Sequence, residues 1–193
     1  MQGPAADLPT TLAEFHPWHA RQADVFEFID GVPRAMAPGS KAHTLLKGNV
    51  FAALRQALGN SPCRALVDGA SIETKTSYLI PDVVVECGPL DLATPNIAQP
   101  LVVVEIASPG SEKDDLARKE RVYLGLPSLQ HDLVVHQDRR AIVHHQRRDD
   151  LGGFLTTIVQ QGVITLDPPG IRLMLDDIYQ GLPVDRARGD GDE

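Results

Sequence analysis

Hydrophobic residues recur along this chain at two spacings, one typical of helices and one typical of buried strands. Apolar positions three and four apart predict a long helix over residues 41–58, with Ser40 as its N-cap, and a second helix over residues 113–124. Short helices are predicted near residues 11–21 and 176–179. Segments rich in β-branched residues predict strands over residues 25–29, 32–37, 63–67, 70–73, 79–86, 101–107, 133–136 and 141–146, with edge strands at 156–159 and 171–174.

The order of these elements predicts the architecture. Many strands are clustered between the two long helices instead of alternating strictly with helices. We therefore expect an α/β (α+β) fold, in which a mixed central β-sheet is flanked by helices. The chain has 193 residues and no internal repeat or linker, so residues 10–182 are expected to form one domain, between a flexible start at 1–9 and a disordered tail at 183–193.

The composition excludes some classes of protein and leaves others open. A net charge of −8 and a pI near 5.3 count against a broad basic surface for nucleic acid, although a metal-dependent nuclease site is itself acidic. Apolar runs are much shorter than the roughly 20 residues that cross a bilayer, and the first residues lack a signal segment. We expect a cytoplasmic protein without membrane contact, in which Cys63 and Cys87 are buried free thiols.

Two carboxylates interrupt segments that are otherwise apolar. The segment 101–107 is apolar on both faces, which places it inside a covered sheet, so Glu105 is expected to be buried. Asp82 has a similar position within the segment 79–86. An unpaired buried carboxylate is costly or takes up a proton, and a bound cation removes that cost. The pair therefore predicts oxygen ligands for Mg²⁺ or Mn²⁺, the alternative being acids at wet strand ends or paired with arginine.

A lysine on the following helix adds to this pair of acids. Leu116, Lys119 and Tyr123 fall on one face of the predicted helix, so Lys119 is expected to point inward beside apolar neighbours. An inward ammonium next to a metal-bound phosphate would stabilise developing negative charge. A lysine whose ammonium reaches back to solvent is the alternative interpretation.

Short motifs follow one another in a recognisable order along most of the chain. They are Phe26-Glu27-Phe28-Ile29-Asp30-Gly31, then Pro38 and His43, then Pro81-Asp82-Val83-Val84-Val85, then Val103-Val104-Glu105-Ile106-Ala107-Ser108-Pro109, then Asp115-Leu116 with Lys119 and Tyr123, then Gly125-Leu126-Pro127-Ser128-Leu129. In this order and spacing the chain resembles the Uma-type family of bacterial endonucleases over roughly residues 10–180. That family belongs to the restriction-endonuclease-like superfamily, whose motif is Pro-Asp…(Asp/Glu)-x-Lys.

The resemblance implies a Mg²⁺- or Mn²⁺-dependent phosphodiesterase site in a mixed sheet flanked by helices. Asp82 and Glu105 match the two acids of the motif, and both would ligate metal together with the backbone carbonyl of Ile106. Alanine stands at position 107, where the wider superfamily carries its lysine. Lys119 matches the lysine that the Uma-type pattern carries on the following helix instead.

Three further residues are candidates for the same site. Glu27 matches an acid that the family keeps in its first hairpin, and it would be an accessory ligand, direct or through water. His43 also matches a family position and would orient a ligand or touch substrate, although a hydrogen-bonded core histidine is an equal alternative. Lys113 follows a polar loop next to the predicted site and is a candidate for substrate contact.

Other chemistry in the sequence is weaker. His144 and His145 are adjacent, so they point to opposite faces of a strand, and neither has a cysteine or a third ligand at zinc-binding spacing. The arginine pairs at 139–140 and 147–148 could contact a phosphate backbone, but a solvated hairpin is the favoured interpretation.

Two functions from different classes follow. The first is a Mg²⁺- or Mn²⁺-dependent endonuclease acting on DNA, with Asp82 and Glu105 as ligands, Lys119 as the transition-state cation and Glu27 as an accessory acid. The alternative is a nuclease-like fold that serves as a non-cleaving nucleic-acid-binding or protein-interaction module, favoured by the acidic net charge and the absent lysine at position 107. The sequence leaves open whether the nucleic acid is DNA or RNA and whether the chain is oligomeric, although a homodimer would help a small acidic protein engage a duplex.

Overall fold

The computed structural model describes residues 8–108 and 113–184, without the side chains of residues 113–115. Most of the start predicted to be flexible (1–9) and of the tail predicted to be disordered (183–193) lies outside the described residues. The helices are α1 (Leu12–His19), α2 (Lys41–Leu58), α3 (Lys113–Leu124) and α4 (Leu175–Ile178), with a 3-10 turn at Asp149–Leu151. The strands are β1 (Phe26–Ile29), β2 (Val32–Ala35), β3 (Cys63–Val67), β4 (Ile72–Glu73), β5 (Tyr78–Leu79), β6 (Val83–Cys87), β7 (Pro100–Ala107), β8 (His131–His136), β9 (Ile142–Arg148), β10 (Gly153–Val159), β11 (Val163–Leu166) and β12 (Ile171–Met174).

A six-stranded sheet forms the centre of the fold, with the strand order β10-β9-β8-β7-β6-β3. β7 and β8 run parallel, and the other neighbouring strands are antiparallel. β7 takes an inner position because its side chains are apolar on both faces, and such a strand is stable only in a sheet that is covered on both sides. The predicted mixed sheet is confirmed.

Helices cover both faces of this sheet. On one face, α2 and the hairpin of β11 and β12 share a hydrophobic core with Val102 and Val104 of β7. On the other face, Val103 shares a core with Tyr123 of α3 and Ile29 of the first hairpin. Successive side chains of β7 thus enter two separate cores, as the alternation of side chains along a strand requires.

The segment 79–86, predicted as one strand, is two strands in the structure. β5 belongs to a four-stranded sheet with the order β2-β1-β5-β4, whereas β6 belongs to the central sheet. The break falls at Pro81, which has no N–H to offer to a ladder, and the N–H of Ile80 donates instead to Oε1 of Glu27 at 2.8 Å. Asp82 therefore lies in the bend directly before β6, and its prediction as a residue within a strand was wrong.

The C-terminal part also differs from the prediction in one strand. β11 was not predicted, and it pairs with β12 in a separate two-stranded sheet. The predicted strand at 171–174 is thus present, but it is not an edge of the central sheet. The predicted edge strand near 156–159 does lie at that edge, as part of β10.

Local turn and cap residues fix the positions of the two elements that approach the central sheet from the N-terminal side. Asp30 and Gly31 join β1 to β2 with φ angles of 48° and 84°, the positive values that a two-residue hairpin turn requires. Ser40 is the N-cap of α2, and its side chain accepts a hydrogen bond from the N–H of His43 at 3.1 Å. The predicted bounds of α2 are confirmed.

The two cysteines are not free thiols. Cys63 of β3 and Cys87 of β6 are directly opposite each other in an antiparallel pair, and they form a disulfide. The sequence gives no sign of this pairing, because only the register of β3 against β6 brings the two residues together. The prediction of buried free thiols was wrong.

The cap of α2 gives a test of the fold. Ser40→Ala removes the acceptor for the N–H of His43, so we expect the free energy of unfolding to fall by about 1 kcal/mol. Urea denaturation followed by circular dichroism measures the loss. Gln56→Ala is the control. Gln56 is a solvent-exposed residue within α2, far from the cap, so the substitution should change stability by less than about 0.5 kcal/mol. Equal losses in the two variants would show that the cap contributes nothing specific.

Candidate active site

A cleft of about 860 Å³ opens between the first hairpin (β1 and β2), the N-terminal part of α2, the bend before β6, the C-terminal end of β7, and α3. The residues that the sequence analysis singled out converge on this cleft. Its lining includes Glu27, His43, Asp82, Glu105, Ile106 and Lys119. Lys113 begins α3, but its side chain lies outside the described part of the chain, so its predicted contact with substrate is untested.

Asp82 is held from three sides. Its Oδ1 lies 2.9 Å from Nε2 of His43 and 3.7 Å from Nζ of Lys47. Its Oδ2 accepts a hydrogen bond from the backbone N–H of Ile106 at 2.8 Å. Burial by itself would raise the pKa of Asp82, but the hydrogen bond and charge of His43, the N–H of Ile106 and the charge of Lys47 outweigh it, and the pKa is lowered. Asp82 is therefore kept as a carboxylate.

Lys47 is a site residue that the sequence analysis missed. It lies one helical turn after His43 on α2, lines the cleft, and its Nζ donates to Oδ1 of Asp68 at 2.6 Å. Burial by itself lowers the pKa of Lys47, but Asp68 and Asp82 outweigh that effect and raise it. The available signal was the spacing of four residues from His43, since residues four apart on a helix share a face.

Glu27, Glu105 and Lys119 form the second half of the site. Nζ of Lys119 lies 2.8 Å from Oε2 of Glu27 and 3.5 Å from Oε1 of Glu105. The three residues are 3%, 7% and 9% exposed, in the order Glu27, Glu105, Lys119, so this ion-pair network is shielded from water. The predictions that Glu105 is buried and that Lys119 points inward are confirmed.

The charge on Glu105 is not balanced within this network. Burial raises its pKa most, Lys119 lowers it, and the charges of Asp82 and Glu27 raise it further, to about 8. The hydroxyl of Tyr123 donates to Oε1 of Glu105 at 2.7 Å and also lowers the pKa. Burial, Asp82 and Glu27 thus oppose ionisation of Glu105, and a pKa of about 8 favours a proton on Glu105 at neutral pH.

Tyr123 is a second residue whose part in the site was missed. It was placed on the buried face of α3, which is correct, but its hydroxyl was not assigned a partner. Tyr123 is fully buried, and burial followed by the charge of Glu105 raises its pKa well above the ordinary value. The hydroxyl therefore stays protonated and acts as a fixed hydrogen-bond donor to Glu105.

The donor set fits a divalent cation that prefers oxygen. Two carboxylates, Asp82 and Glu105, face one cleft, and the hydrogen bond from Ile106 to Asp82 holds the backbone next to Glu105 against the same carboxylate. Burial, and to a smaller extent repulsion from Asp82 and Glu27, raises the pKa of Glu105, and a bound cation would favour its ionised form. Mg²⁺ and Mn²⁺ are such cations and accept few protein ligands alongside water.

The basic pairs are not part of this cleft. Arg140 forms an ion pair with Asp176 and donates to the carbonyl of Gln160 at 3.2 Å. Arg147 donates to the carbonyls of Leu129 and Leu126, at 2.6 and 2.7 Å. These two arginines join parts of the fold to each other, whereas Arg139 and Arg148 form exposed ion pairs with acids close in sequence.

The fold and the site together define the class of protein. A mixed sheet flanked by helices, with acids at the ends of neighbouring strands beside an inward lysine, is a nuclease-like architecture of the restriction-endonuclease type. A solved structure from Anabaena variabilis, described as "a putative nuclease belonging to DUF820", shares this fold. Its TM-score is 0.74 and its identity 14%, with 89% of this chain and 98% of that chain covered.

The family follows from the sequence itself. The family model Uma2, described as "Putative restriction endonuclease", matches residues 12–176, and the chain belongs to this family. A relative from Synechocystis sp., "Uncharacterized protein slr1290", is 30% identical over 183 residues, which covers 93% of this chain and 96% of the relative. The resemblance drawn from the motifs is confirmed. Among the described helices, none has the length and apolar character needed to cross a membrane.

The raised pKa of Glu105 gives a prediction for stability against pH. Between its ordinary pKa of 4.5 and its folded value of about 8, the folded state holds a proton that the unfolded state has lost. Stability contributed by this proton is therefore present at low pH and lost as pH rises through that window, by on the order of 5 kcal/mol. Glu105→Gln cannot titrate, so chemical denaturation should show wild type losing stability relative to this variant from about pH 5 to about pH 8.5.

A second variant separates this effect from a general response to pH. Tyr123→Phe removes a hydrogen bond that lowers the pKa of Glu105, so the loss of stability should extend to higher pH than in wild type. If the free energy of unfolding changes with pH in parallel for wild type and Glu105→Gln between about pH 5 and pH 8.5, the raised pKa does not belong to Glu105.

Proposed function

We propose that this protein is a Mg²⁺- or Mn²⁺-dependent endonuclease that hydrolyses phosphodiester bonds in DNA. One observation carries the proposal. Asp82, Glu105, Glu27 and Lys119 come from a bend, two strands and a helix, and they face a single cleft in a chain of the Uma2 family. Carboxylates and a buried ammonium in one cleft are the groups that metal-assisted phosphodiester hydrolysis needs.

In this proposal Asp82, Glu105 and the backbone carbonyl of Ile106 hold the metal. A metal bound there would activate water and neutralise charge on the phosphate and the leaving oxygen. Asp82 is prepared for this role because its lowered pKa keeps it ionised. His43 and the N–H of Ile106 act as positioning groups, since each holds one oxygen of the Asp82 carboxylate.

Glu105 needs to lose a proton before it can act as a ligand. Its pKa of about 8 leaves it mostly protonated near neutral pH in the metal-free site, so metal binding displaces that proton. Tyr123 fixes the orientation of the carboxyl group, because its hydroxyl donates to Oε1 at 2.7 Å. Proton release is therefore a direct sign that Glu105 has become a ligand.

Lys119 is proposed as the cation that stabilises charge on the phosphate in the transition state. Its position on α3 accounts for the alanine at 107, because the ammonium reaches Glu105 from the helix instead of from the strand. Glu27 is proposed as the accessory acid, and it holds the ammonium at 2.8 Å. The contact orients Lys119 toward the cleft, so Glu27 acts through the lysine. Glu27 would also be a further ligand to a bound metal, directly or through water.

DNA is proposed as substrate from the description of the family as a restriction endonuclease. His43 and Lys113 are proposed to contact it, His43 as a lining residue of the cleft and Lys113 from the start of α3. A homodimer that engages a duplex is part of the same proposal. A cytoplasmic location is proposed as well, although the disulfide of Cys63 and Cys87 is more usual in oxidising compartments. Because the net charge is −8, we expect the protein to make few contacts with the phosphate backbone of DNA outside the cleft.

Metal binding should be linked to proton release. Calorimetric titration with Mg²⁺ near pH 7, repeated in buffers of different ionisation enthalpy, should show up to about one proton released per metal bound in wild type. Affinity should rise with pH up to about 8, because deprotonation of Glu105 then no longer opposes binding. Glu105→Gln should bind more weakly and release no proton. An affinity that is independent of pH in wild type would contradict Glu105 as a ligand.

Cleavage tests the function directly. Supercoiled plasmid incubated with the protein and Mn²⁺ should be nicked, and EDTA should stop the reaction. Asp82→Asn, Glu105→Gln and Lys119→Met should each lose at least about 100-fold in rate, because each removes a ligand or the transition-state cation. Lys75→Met and Asp138→Asn, both outside the lining of the cleft, are matched controls that should cut like wild type.

The same experiment decides between the proposal and its alternative. If the three site variants nick as fast as wild type, the cleft is not the active site. If wild type binds Mn²⁺ and nucleic acid but does not nick, the fold serves as a non-cleaving binding module.

A further inference from the structure

A second cluster of metal-ligating side chains lies outside the cleft. One oxygen of Glu120, one oxygen of Asp132 and one ring nitrogen of His145 all lie within 4.8 Å of one another. None of the three residues lines the cleft that holds Asp82 and Glu105. The cluster plays no part in the proposed function.

The fold brings these residues together from three elements. Asp132 of β8 is directly opposite His145 in the antiparallel pair of β8 and β9, so the two side chains share a face of the sheet. Asp132 is also level with Val103 of β7, whose side chain lies in the core that contains Tyr123 of α3. Glu120 comes from α3, which covers that face. Position in the sheet therefore fixes two ligands, and the helix adds the third.

Asp132 has no hydrogen-bond or ion-pair partner among the residues that the structure describes. It is 0% exposed, and within the described part of the chain neither of its carboxylate oxygens has a hydrogen-bond partner. A buried carboxylate without a hydrogen bond or a cation costs several kcal/mol, and natural proteins rarely leave one in this state. The neighbouring acid Glu120 increases the cost, because it adds a like charge beside Asp132. The cluster thus contains a buried carboxyl group that has no hydrogen-bond partner among the described residues and lies close to two other ligand atoms.

His145 is oriented as metal-binding histidines are. Its Nδ1 lies 2.8 Å from Oγ1 of Thr156 on β10, and its Nε2 faces the carboxylates, 2.7 Å from Oε1 of Glu120. A hydrogen bond at one ring nitrogen fixes the direction of the other nitrogen, and in the tautomer with hydrogen on Nδ1 the hydroxyl of Thr156 accepts from Nδ1 and leaves the lone pair of Nε2 for a metal. Thr156 therefore supplies the outer support that a ligating imidazole needs.

We propose that Glu120, Asp132 and His145 bind a divalent transition metal, with Zn²⁺ as the expected ion and water as its fourth ligand. The donor set of one imidazole and two carboxylates suits Zn²⁺, which binds nitrogen and oxygen in tetrahedral sites. The cleft differs, because its donors are all oxygens, and such donors suit Mg²⁺ or Mn²⁺. The chain would then carry two metal sites of different selectivity on the same face of one sheet.

The proposed ion would act on structure and not on substrate. Side-chain exposure of 11% for His145 and 25% for Glu120 leaves room for a water on one side, while Asp132 is fully enclosed. An ion held by all three residues would tie α3 to β8 and β9. Glu120 directly follows Lys119, so this tie would also limit movement of the lysine in the cleft.

The competing account needs no metal. Burial, followed by repulsion from Glu120, raises the pKa of Asp132 well above its ordinary value, so the group can hold a proton, with His145 and Glu120 as an ion pair. The two accounts differ in a measurable way, because only the first predicts stoichiometric binding of Zn²⁺.

Zinc binding by the full chain, without nucleic acid, tests the proposal. The measurements use an Asp82→Asn background, which removes a ligand from the cleft, with retained Zn²⁺ determined by elemental analysis and affinity by calorimetry. We expect one Zn²⁺ per chain, and an affinity at least about tenfold lower when His145→Gln is added. His144→Gln is the matched control. His144 is adjacent in sequence but contacts His131 and not the cluster, so this variant should bind Zn²⁺ as tightly as the Asp82→Asn background.

Two further variants protect the test from a folding failure. Asp132→Asn should abolish Zn²⁺ binding. Glu120→Gln should weaken it, and because Glu120 is partly exposed, this variant still tests a ligand if Asp132→Asn does not fold. Circular dichroism verifies folding, and Co²⁺ in place of Zn²⁺ should give the visible absorption of a tetrahedral site in the background only. No bound Zn²⁺ in the background, or equal binding with and without His145→Gln, would overturn the proposal. Neither result depends on DNA cleavage, so failure here is distinct from failure of the proposed function.

Discussion

The buried ammonium of Lys119 is the group on which the arrangement of the cleft depends. It lies between the carboxylates of Glu27 and Glu105, and through them it joins the first hairpin, the central strand β7 and α3. Removal of the cation would leave the buried carboxylate of Glu27, and Glu105 whenever it is ionised, without the ammonium that lies beside both, and loss of one partner of a buried ion pair costs about 3–5 kcal/mol. The stability of the fold and the chemistry proposed for the site therefore use the same contact. This dual use explains why Lys119 can be both deeply buried and oriented toward the cleft.

The break at Ile80 and Pro81 is the second constraint, because it separates the two sheets and places Asp82 at the cleft. A continuous strand over 79–86 would have put Asp82 within a ladder, with its side chain confined to one face of a sheet. Instead Glu27 accepts the N–H of Ile80, and the chain turns before β6 begins. One oxygen of Glu27 thus accepts the hydrogen bond from Ile80, and the other oxygen forms the ion pair with Lys119. A single acid in the first hairpin supports both the bend that presents Asp82 and the lysine that faces Glu105.

The sequence predicted those features that depend on local periodicity. The spacing of apolar residues gave the bounds of α2, the two buried faces of β7 and the inward position of Lys119, because helical and strand periods leave a direct trace in the pattern. Predictions failed where a distant partner decides the outcome. Cys63 and Cys87 form a disulfide because of the register between β3 and β6. The strand at 79–86 is broken at Pro81, and the distant Glu27 accepts the N–H of Ile80 at that break. Tyr123 was correctly placed in the core, but its hydrogen bond to Glu105 depends on how α3 is packed against β7.

By itself, the sequence determined the mixed architecture, the family and the identity of the acids and the lysine in the cleft, since these follow from periodicity and from motifs in a fixed order. Only the tertiary structure decided how those groups are paired, that Lys47 joins them, and that Glu105 is short of positive charge. It also decided that Glu120, Asp132 and His145 meet. His144 and His145 appeared in the sequence as an adjacent pair on opposite faces of a strand, without a third ligand at zinc-binding spacing. The missing ligands come from β8 and α3, and strand pairing and helix packing, not spacing along the chain, bring carboxylates to the imidazole.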